Sequence, residues 1–161
     1  MARFAGSDTT AITLRAEFYY LMKNPEILNN LMQEIREFES QGELSDLVTY
    51  AESQRMCYLQ ACIKEAMRLH PAVRFLLERV VPDGGANISG TYFPSVTVVG
   101  INPWVVGREQ AVYGSDADDF RPERWLEASK DTLKLMERNW LAVSGFCSLN
   151  LPPHADYIKV W

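Results

Sequence analysis

The segment that decides the fold is KEAMRLHP, which spans residues 64–71. Glu65 and Arg68 lie three residues apart in it, and this spacing places a carboxylate and a guanidinium on one face of a helix. Pro71 ends the helix, because the residue before a proline is disfavoured in the helical conformation. Taken alone, the pair has an ordinary alternative, a solvated surface ion pair worth less than about 1 kcal/mol.

A second charged segment, DDFRPERWLE, spans residues 118–127 and has neither a helical nor a strand period. Pro122 and Trp125 flank Glu123 and Arg124 in it. The alternative is a plain loop with charged side chains. A second arginine here could instead join the carboxylate of the first segment in a buried network. We therefore predict that Arg124 converges in space with the Glu–Arg pair of residues 64–71.

A third segment, AGSDTT, covers residues 5–10 near the chain start. Inside a helix, the Thr9 hydroxyl can bond the carbonyl of Ala5, four residues earlier. Gly6 leaves room beside that carbonyl, so we expect a local notch, and Asp8 adds an acid next to the alcohol. An acid and an alcohol beside a notch suit proton delivery. The alternative is a simple helix N-cap, for which Ser, Asp and Thr are all favoured.

Periodicity indicates a mainly α fold with a small β-sheet (α+β). Asn24 is the expected N-cap of the second helix, Thr49 and Glu52 form a capping box for the third, and a break is expected near Met56. After Pro71 we expect short β-strands, followed by one short helical turn and then by a segment without regular secondary structure. The predicted helices are residues 4–23, a second helix that begins at residue 25, and residues 49–70. The predicted strands are 75–81, 88–93 and 96–102, and the predicted helical turn is 103–109.

Composition is that of a globular domain, with 161 residues, 47% hydrophobic and 11% aromatic. The 16 basic and 21 acidic residues give a net charge of −5 and form no basic cluster, which argues against nucleic acid as a partner. No apolar run approaches the roughly 20 residues that span a bilayer. We therefore expect no membrane segment in this chain.

The three cysteines do not indicate a disulfide framework. Cys57 and Cys62 are five residues apart on a predicted helix, so they face different directions. Neither they nor Cys147 have the short spacing of a zinc knuckle, even with His70 and His154 considered. We therefore do not expect structural zinc.

Together, in this order, the three segments resemble the C-terminal part of cytochrome P-450 haem-thiolate monooxygenases, especially the fungal kind. AGSDTT is similar to the family's oxygen-activating motif, KEAMRLHP to its Glu-x-x-Arg helix, and FRPERW to the segment whose arginine completes a Glu–Arg–Arg network. LERVV and GINPWVVGRE also stand where the family has comparable stretches. The resemblance covers about 3–142 and implies a partial P-450 domain over residues 1–142, followed by a divergent, irregular tail over 143–161.

The resemblance implies a role for each matching residue. Asp8 and Thr9 would handle protons for dioxygen cleavage, and Ala5 and Gly6 would form the notch over the haem. Arg79 would pair with a haem propionate. The structural network behind the haem loop would be Glu65, Arg68 and Arg124, and the substrate side would be lined by Phe75, Leu76 and Leu77.

The chain departs from the family at the haem ligand. The family pattern Phe-x-x-Gly-x-Arg-x-Cys-x-Gly is expected after ERNWLA, but the chain reads VSGFCSLN. Cys147 follows Val143 by four residues, where the family spacing is seven. Cys147 is thus the candidate iron ligand, and a free thiol in an irregular tail is the expected alternative. Cys57 stands where a helix-opening proline is usual, and Gly107 where His-Arg is common.

The implied cofactor is haem, and the implied partners are a small organic substrate and an electron-donating reductase. The full-length family works at the endoplasmic reticulum membrane, whereas this chain, without an anchor, would be cytoplasmic. Three alternatives stay open: a monooxygenase fragment, a non-catalytic product that forms no haem–thiolate complex, and a haem-free helical interaction module. A retained intron, a degenerate gene or a truncated gene prediction would each explain the tail, and the substrate is not predicted.

Overall fold

The computed structural model describes residues 2–142, and only the backbone of residues 2–6. Eight helices and four strands are found in this part of the chain, so the predicted α+β class is confirmed. The helices are α1 (Ala2–Lys23), α2 (Pro25–Ser40), α3 (Tyr50–Ser53), α4 (Cys57–Leu69), α5 (Pro103–Val106), α6 (Gln110–Tyr113), α7 (Glu123–Glu127) and α8 (Lys130–Asn139). The strands are β1 (Leu77–Val80), β2 (Ala86–Ile88), β3 (Thr91–Phe93) and β4 (Val98–Ile101).

The junction of α1 and α2 lies at Asn24, as the sequence predicts, but the Asn24 side chain does not cap α2 as expected. Pro25 occupies the first turn, and the Asn24 side chain makes no capping hydrogen bond. Its amide donates instead to the carbonyl of Tyr20, 2.7 Å away. The side chain thus satisfies an orphan carbonyl at the end of α1 rather than an orphan N–H at the start of α2.

The start of α3 and the break before α4 are confirmed. The Thr49 hydroxyl accepts from the Glu52 N–H, and the Glu52 carboxylate accepts from the Thr49 N–H at 2.7 Å, which is the predicted capping box. Helix α4 begins at Cys57, after an N-cap, Met56, that makes no side-chain cap hydrogen bond. Helix α4 ends at Leu69, before Pro71.

The prediction of one sheet is wrong, because the described strands form two separate antiparallel pairs. β1 pairs with β4, and β2 pairs with β3. Residues 88–93 are not one strand, since Ser89 and Gly90 both have positive φ, at 50° and 82°. Two successive residues with positive φ form the tight turn that joins two short antiparallel strands.

The prediction of irregular chain after residue 109 is also wrong, because α6, α7 and α8 lie there. Ser129 caps α8 by accepting from the N–H of Thr132 at 3.2 Å. Met136 on this helix is buried, and Leu133 packs against the same cluster. Half of its ten residues are charged, so the segment looks polar in the sequence although its apolar residues share one face.

Helix α4 is the central element, since it contributes to both hydrophobic clusters. On one side Cys62, Ala66 and Leu69 pack with residues of α1 and α2. On the other side Ala61 packs against Tyr113, Ala117, Trp125 and Met136. Among the described residues, no helix is both long and apolar enough to span a membrane.

Replacement of Val96 by glycine is expected to stabilise the fold. Val96 has φ 61° and is 77% exposed, so a β-branched side chain sits in the left-handed region without packing that would offset the strain. That conformation costs an L-residue about 1–2 kcal/mol, which exceeds the roughly 0.5–1 kcal/mol entropic penalty of glycine. We expect Val96→Gly to raise the free energy of unfolding by about 1 kcal/mol in urea titration.

The matched control is Val98→Gly. Val98 is also exposed, at 60%, but it lies in β4 with extended backbone. Glycine there should lower stability, because it brings only the entropic penalty. If both variants shift the urea midpoint in the same direction, the strain at Val96 is not the cause.

Candidate functional site

Glu65 and Arg68 form a buried bidentate pair on α4. Their side chains are both 0% exposed. The Arg68 Nε donates to Glu65 Oε2 at 2.9 Å, and the Arg68 Nη2 donates to Glu65 Oε1 at 2.7 Å. The alternative of a solvated surface pair is therefore wrong, since burial removes the water that would weaken the interaction.

Arg124 joins this pair from α7, so the predicted convergence is present. Its Nε donates to Glu65 Oε1 at 2.8 Å, and its side chain is 2% exposed. The two arginines therefore share one carboxylate across a separation of 56 residues in sequence, which sets α7 against α4.

The Glu65 carboxylate accepts two further hydrogen bonds, both of which sequence reasoning missed. The backbone N–H of Arg121 donates to Oε1 at 3.1 Å, and the indole Nε1 of Trp125 donates to Oε2 at 2.8 Å. With Arg68 Nε and Nη2 and Arg124 Nε, five donors surround one carboxylate. The only sequence indication was that Trp125 directly follows the arginine, and a buried indole N–H needs an acceptor.

The remaining N–H groups of Arg68 bind backbone carbonyls of the chain between α5 and α7. Nη1 donates to the carbonyls of Gly107 and, at 2.6 Å, Ala117, and Nη2 donates to that of Asp119 at 3.1 Å. A planar guanidinium with five donors can hold several acceptors at once. Arg68 therefore fixes a stretch of largely irregular backbone as well as Glu65.

Arg124 binds the same stretch from its other side. Nη1 donates to the carbonyl of Tyr113 at 2.5 Å and to Asp116 Oδ1 at 3.2 Å, and Nη2 donates to the Asp116 carbonyl at 2.8 Å. Among the described residues, no buried side-chain nitrogen or oxygen lacks a hydrogen-bond partner. The network is thus complete within the chain, which is the condition under which a buried polar network is stabilising.

Ionisation of the network follows from these contacts. Burial alone would lower the pKa of Arg124, but the carboxylates of Glu65 and Asp116 raise it above its ordinary value. Burial likewise tends to raise the pKa of Asp116, but Arg124 and Arg121 hold it below its usual range. Both groups are therefore charged at neutral pH.

Gly107 lies directly against the network, which explains why glycine occurs at this position. A Cβ built on Gly107 would lie 2.5 Å from the Arg68 carbonyl oxygen. Because that oxygen is backbone, a larger side chain would need α5 to move away from the end of α4. Next to it, the Arg108 guanidinium stacks 3.7 Å from the Trp104 ring centroid and donates to the Leu69 carbonyl at 2.9 Å.

The AGSDTT residues lie on α1, where Asp8 and Thr9 are exposed. Helix α1 runs without interruption from Ala2 to Lys23, so no break in the helix marks an open notch at Gly6. The predicted contact between Thr9 and the Ala5 carbonyl lies outside the described contacts. One turn later, the Thr13 hydroxyl donates to the Thr9 carbonyl at 2.9 Å, which is the same kind of bond.

Arg79 and the predicted substrate-side residues lie apart from the Glu65 network. Arg79 is exposed on β1, and its Nη1 donates to the neighbouring Glu78 carbonyl at 2.7 Å. Phe75 and Leu76 are 72% and 51% exposed, and Leu77 is half-buried. These side chains are accessible from solvent, as groups that contact a ligand must be.

The described cysteines do not fit an iron–thiolate site. Cys57 is exposed at the start of α4, and Cys62 is buried in the core, which confirms that they face different directions. Burial, with the nearby Glu17 carboxylate, raises the pKa of the Cys62 thiol to about 12, so it stays protonated. Cys147 lies outside the described residues, and within residues 2–142 no cluster of His, Cys, Asp or Glu could hold a metal ion.

Comparison with known proteins identifies the family. The family model "Cytochrome P450" matches residues 2–142. The chain is 44% identical over 157 residues to the cytochrome P450 monooxygenase cicH of Emericella nidulans, covering 98% of this chain and 31% of that protein. It is 50% identical over 127 residues to a pisatin demethylase of Fusarium vanettenii, covering 79% of this chain and 24% of that protein.

A third relative, the cytochrome P450 monooxygenase hepC of Aspergillus oryzae, is 48% identical over 126 residues, which is 78% of this chain and 25% of hepC. The chain therefore spans about a quarter to a third of the length of these curated relatives. The alignment to cicH continues past residue 142, where the family model ends.

Neutralising the central carboxylate should strongly destabilise the fold. Glu65→Gln keeps the shape of the side chain but leaves Arg68 buried without a counter-charge and Arg124 with only the carboxylate of Asp116. Removing one partner of a buried ion pair costs about 3–5 kcal/mol. We expect a loss of this size in the free energy of unfolding from urea titration followed by circular dichroism.

The control is Glu137→Gln. Glu137 forms an exposed ion pair with Lys64 at 3.0 Å, and its side chain is 50% exposed. Loss of that pair should cost under about 1 kcal/mol. Equal losses for the two variants would show that burial does not set the strength of the Glu65 network.

Proposed function

Because the chain belongs to the cytochrome P450 family, we propose that it is part of a haem-dependent monooxygenase. Such an enzyme inserts one oxygen atom of dioxygen into a small organic substrate and takes electrons from a reductase. The observation that supports this most strongly is the buried Glu65–Arg68–Arg124 network, formed from segments in the family's order. The names of cicH and hepC, both monooxygenases, support the same reaction class.

The described residues fit the haem only in part. Arg79 is exposed on β1, so its guanidinium is accessible to a propionate. The iron ligand must be a thiolate in this family. Cys62 does not meet that need, because its buried thiol stays protonated, and Cys57, which is exposed, does not meet it either. Cys147 is the remaining candidate, and it lies outside the described residues. When bound, haem iron supplies the oxygen chemistry, and a thiolate ligand favours cleavage of the O–O bond.

We assign proton handling to Asp8 and Thr9. Both are exposed on one turn of α1 and therefore accessible to a ligand or to water. An acid next to an alcohol can pass a proton over a short distance. Ala5 and Gly6, the smallest residues of that turn, would leave room over the haem plane.

The Glu65 network would act as a structural support rather than as a reactive group. Its polar atoms are satisfied within the chain, and it fixes the backbone between α5 and α7. We propose that residues 1–142 form one partial domain and that 143–161 form a separate tail. By family, the complete enzyme would work at the endoplasmic reticulum membrane, next to its reductase.

The alternative is a non-catalytic product that forms no haem–thiolate complex. It is favoured by the departure of VSGFCSLN from the family's cysteine loop and by the absence of a usable thiolate among residues 2–142. The two candidates differ in whether residues 2–142 keep working site residues and whether Cys147 can bind iron, and each difference can be tested.

Whether residues 2–142 keep working site residues can be tested in a chimera with a related enzyme. Residues 2–142 would replace the matching stretch of the Fusarium pisatin demethylase, which keeps its own cysteine loop. We expect the chimera to demethylate pisatin, and Asp8→Asn or Thr9→Ala to slow the reaction by about 100-fold or more, since a positioned proton donor contributes that much. The rates would be measured as product formed at saturating reductase.

The matched control in the chimera is Ser7→Ala. Ser7 is an exposed hydroxyl residue on the same turn, adjacent to the proposed pair. It should leave the rate unchanged. If all three variants are equally active, the assignment of Asp8 and Thr9 is wrong. A parent chimera that binds haem but is inactive would contradict the proposal that residues 2–142 keep working site residues.

The ability of Cys147 to bind iron can be tested on the chain itself. The 161-residue protein would be reconstituted with haem, reduced and exposed to carbon monoxide. We expect no red-shifted carbonyl absorption, because the loop around Cys147 lacks the spacing that holds a thiolate and supplies its hydrogen bonds. A red-shifted band that disappears in Cys147→Ala would instead identify Cys147 as the ligand and contradict this expectation.

A further inference from the structure

A second polar contact joins α4 to α7, two helical turns before Glu65. The Tyr58 hydroxyl donates to Glu123 Oε1 at 2.5 Å. Tyr58 and Glu65 are seven residues apart on α4, so they lie on the same face about 10 Å apart along the axis. Glu123 directly precedes Arg124 and Trp125, the two residues of α7 that bind Glu65. Helix α7 is therefore attached to α4 at two separated points.

Helix α7 depends on tertiary contacts to fix its direction. It is five residues long, Glu123–Glu127, and helices this short are not stable without tertiary contacts. Its N-cap residue, Pro122, makes no side-chain cap hydrogen bond. The bond from Tyr58 is thus the contact that anchors its first residue.

Tyr58 is itself held in place from α2. The Glu34 carboxylate accepts the backbone N–H of Tyr58 at 2.8 Å and that of Leu59 at 2.9 Å, which caps the start of α4 from a neighbouring helix. The Asn30 amide donates to the Tyr58 hydroxyl at 3.4 Å. A tyrosine fixed at both its backbone and its hydroxyl is a rigid anchor.

The protonation state of the phenol agrees with this arrangement. Burial, together with the hydrogen bond to Glu123, raises the pKa of Tyr58 well above its ordinary value. The phenol therefore stays protonated at neutral pH, and its proton is directed to the carboxylate. Glu123 and Tyr58 are both half-buried, so water competes only partly for this bond.

We propose that the Tyr58 hydroxyl is a positioning group that orients α7 and thereby places Arg124 and Trp125 on Glu65. The role of the network in holding a haem loop rests on the proposed function. The positioning itself does not, because it concerns contacts that the chain makes without haem. A failure of this inference and a failure of the monooxygenase proposal can therefore be told apart.

The indole N–H of Trp125 provides a local readout, because it binds Glu65 Oε2 at 2.8 Å. The indole of Trp140 is an internal reference, because it packs against the same hydrophobic cluster but donates to a different acceptor, the Lys64 carbonyl, at 3.1 Å. Both signals can be observed in ¹H–¹⁵N spectra of the whole chain and assigned with Trp→Phe variants. A change in global stability alters both indole signals, whereas a displacement of α7 alters the Trp125 signal first.

We expect Tyr58→Phe to shift the Trp125 indole resonance and to speed its hydrogen exchange by about tenfold, since a hydrogen bond to a charged group is worth at least that factor. The Trp140 indole should stay within twofold of its original rate. Tyr50→Phe, which removes the hydroxyl of a tyrosine that is 79% exposed, is the matched control and should change neither signal.

Glu123 variants provide a test that does not require Tyr58→Phe to fold. Glu123→Gln keeps an oxygen that can accept the phenol proton and should preserve the Trp125 signal, whereas Glu123→Ala should reproduce the effect of Tyr58→Phe. In the double variant, the effects of Tyr58→Phe and Glu123→Ala on the Trp125 exchange rate should not add, because both substitutions remove the same hydrogen bond. The proposal is overturned if Glu123→Gln and Glu123→Ala have equal effects, or if both indoles respond in proportion to lost stability.

Discussion

The structure depends on one buried charge, the carboxylate of Glu65. A fully buried carboxylate is tolerated only where it is paired and hydrogen-bonded, since transfer of an ion out of water costs several kcal/mol even after relaxation. Arg68 and Arg124 supply the pairing at 2.7 and 2.8 Å. Two guanidinium groups against one carboxylate leave one surplus positive charge, and Asp116 balances it through Arg124 at 3.2 Å.

This charge requirement explains how the chain between α5 and α7 keeps its shape. That stretch has only the single-turn helix α6 as regular structure, so most of its backbone carbonyls need partners from outside secondary structure. Arg68 and Arg124 supply several of those partners. The same two side chains therefore neutralise Glu65 and order the backbone, and a change in either affects both tasks. The close approach of Gly107 to the Arg68 carbonyl shows how little space the arrangement leaves.

Sequence reasoning succeeded where a local rule decides the outcome. The Glu65–Arg68 spacing, the capping box at Thr49 and the stop at Pro71 each depend on neighbours within four residues. At Asn24 it failed although the partner is close, because the N-cap rule does not distinguish the start of α2 from the Tyr20 carbonyl four residues earlier. It also failed for distant partners that no motif marks. Nothing around Trp125 in the sequence states that its acceptor is a carboxylate 60 residues earlier.

The candidate site divides into two parts with different requirements. The Glu65 network contains its own counter-charges and acceptors, so its buried polar groups need no partner from outside the described residues. Asp8, Thr9 and Arg79 are exposed and lie on α1 and β1, and their proposed chemistry needs a bound group beside them. The first part is therefore under a folding constraint and the second under a functional one. A chain of this family can lose its cofactor chemistry and still keep Glu65, Arg68 and Arg124, because loss of any one of them alone would leave the others buried with unpaired charge.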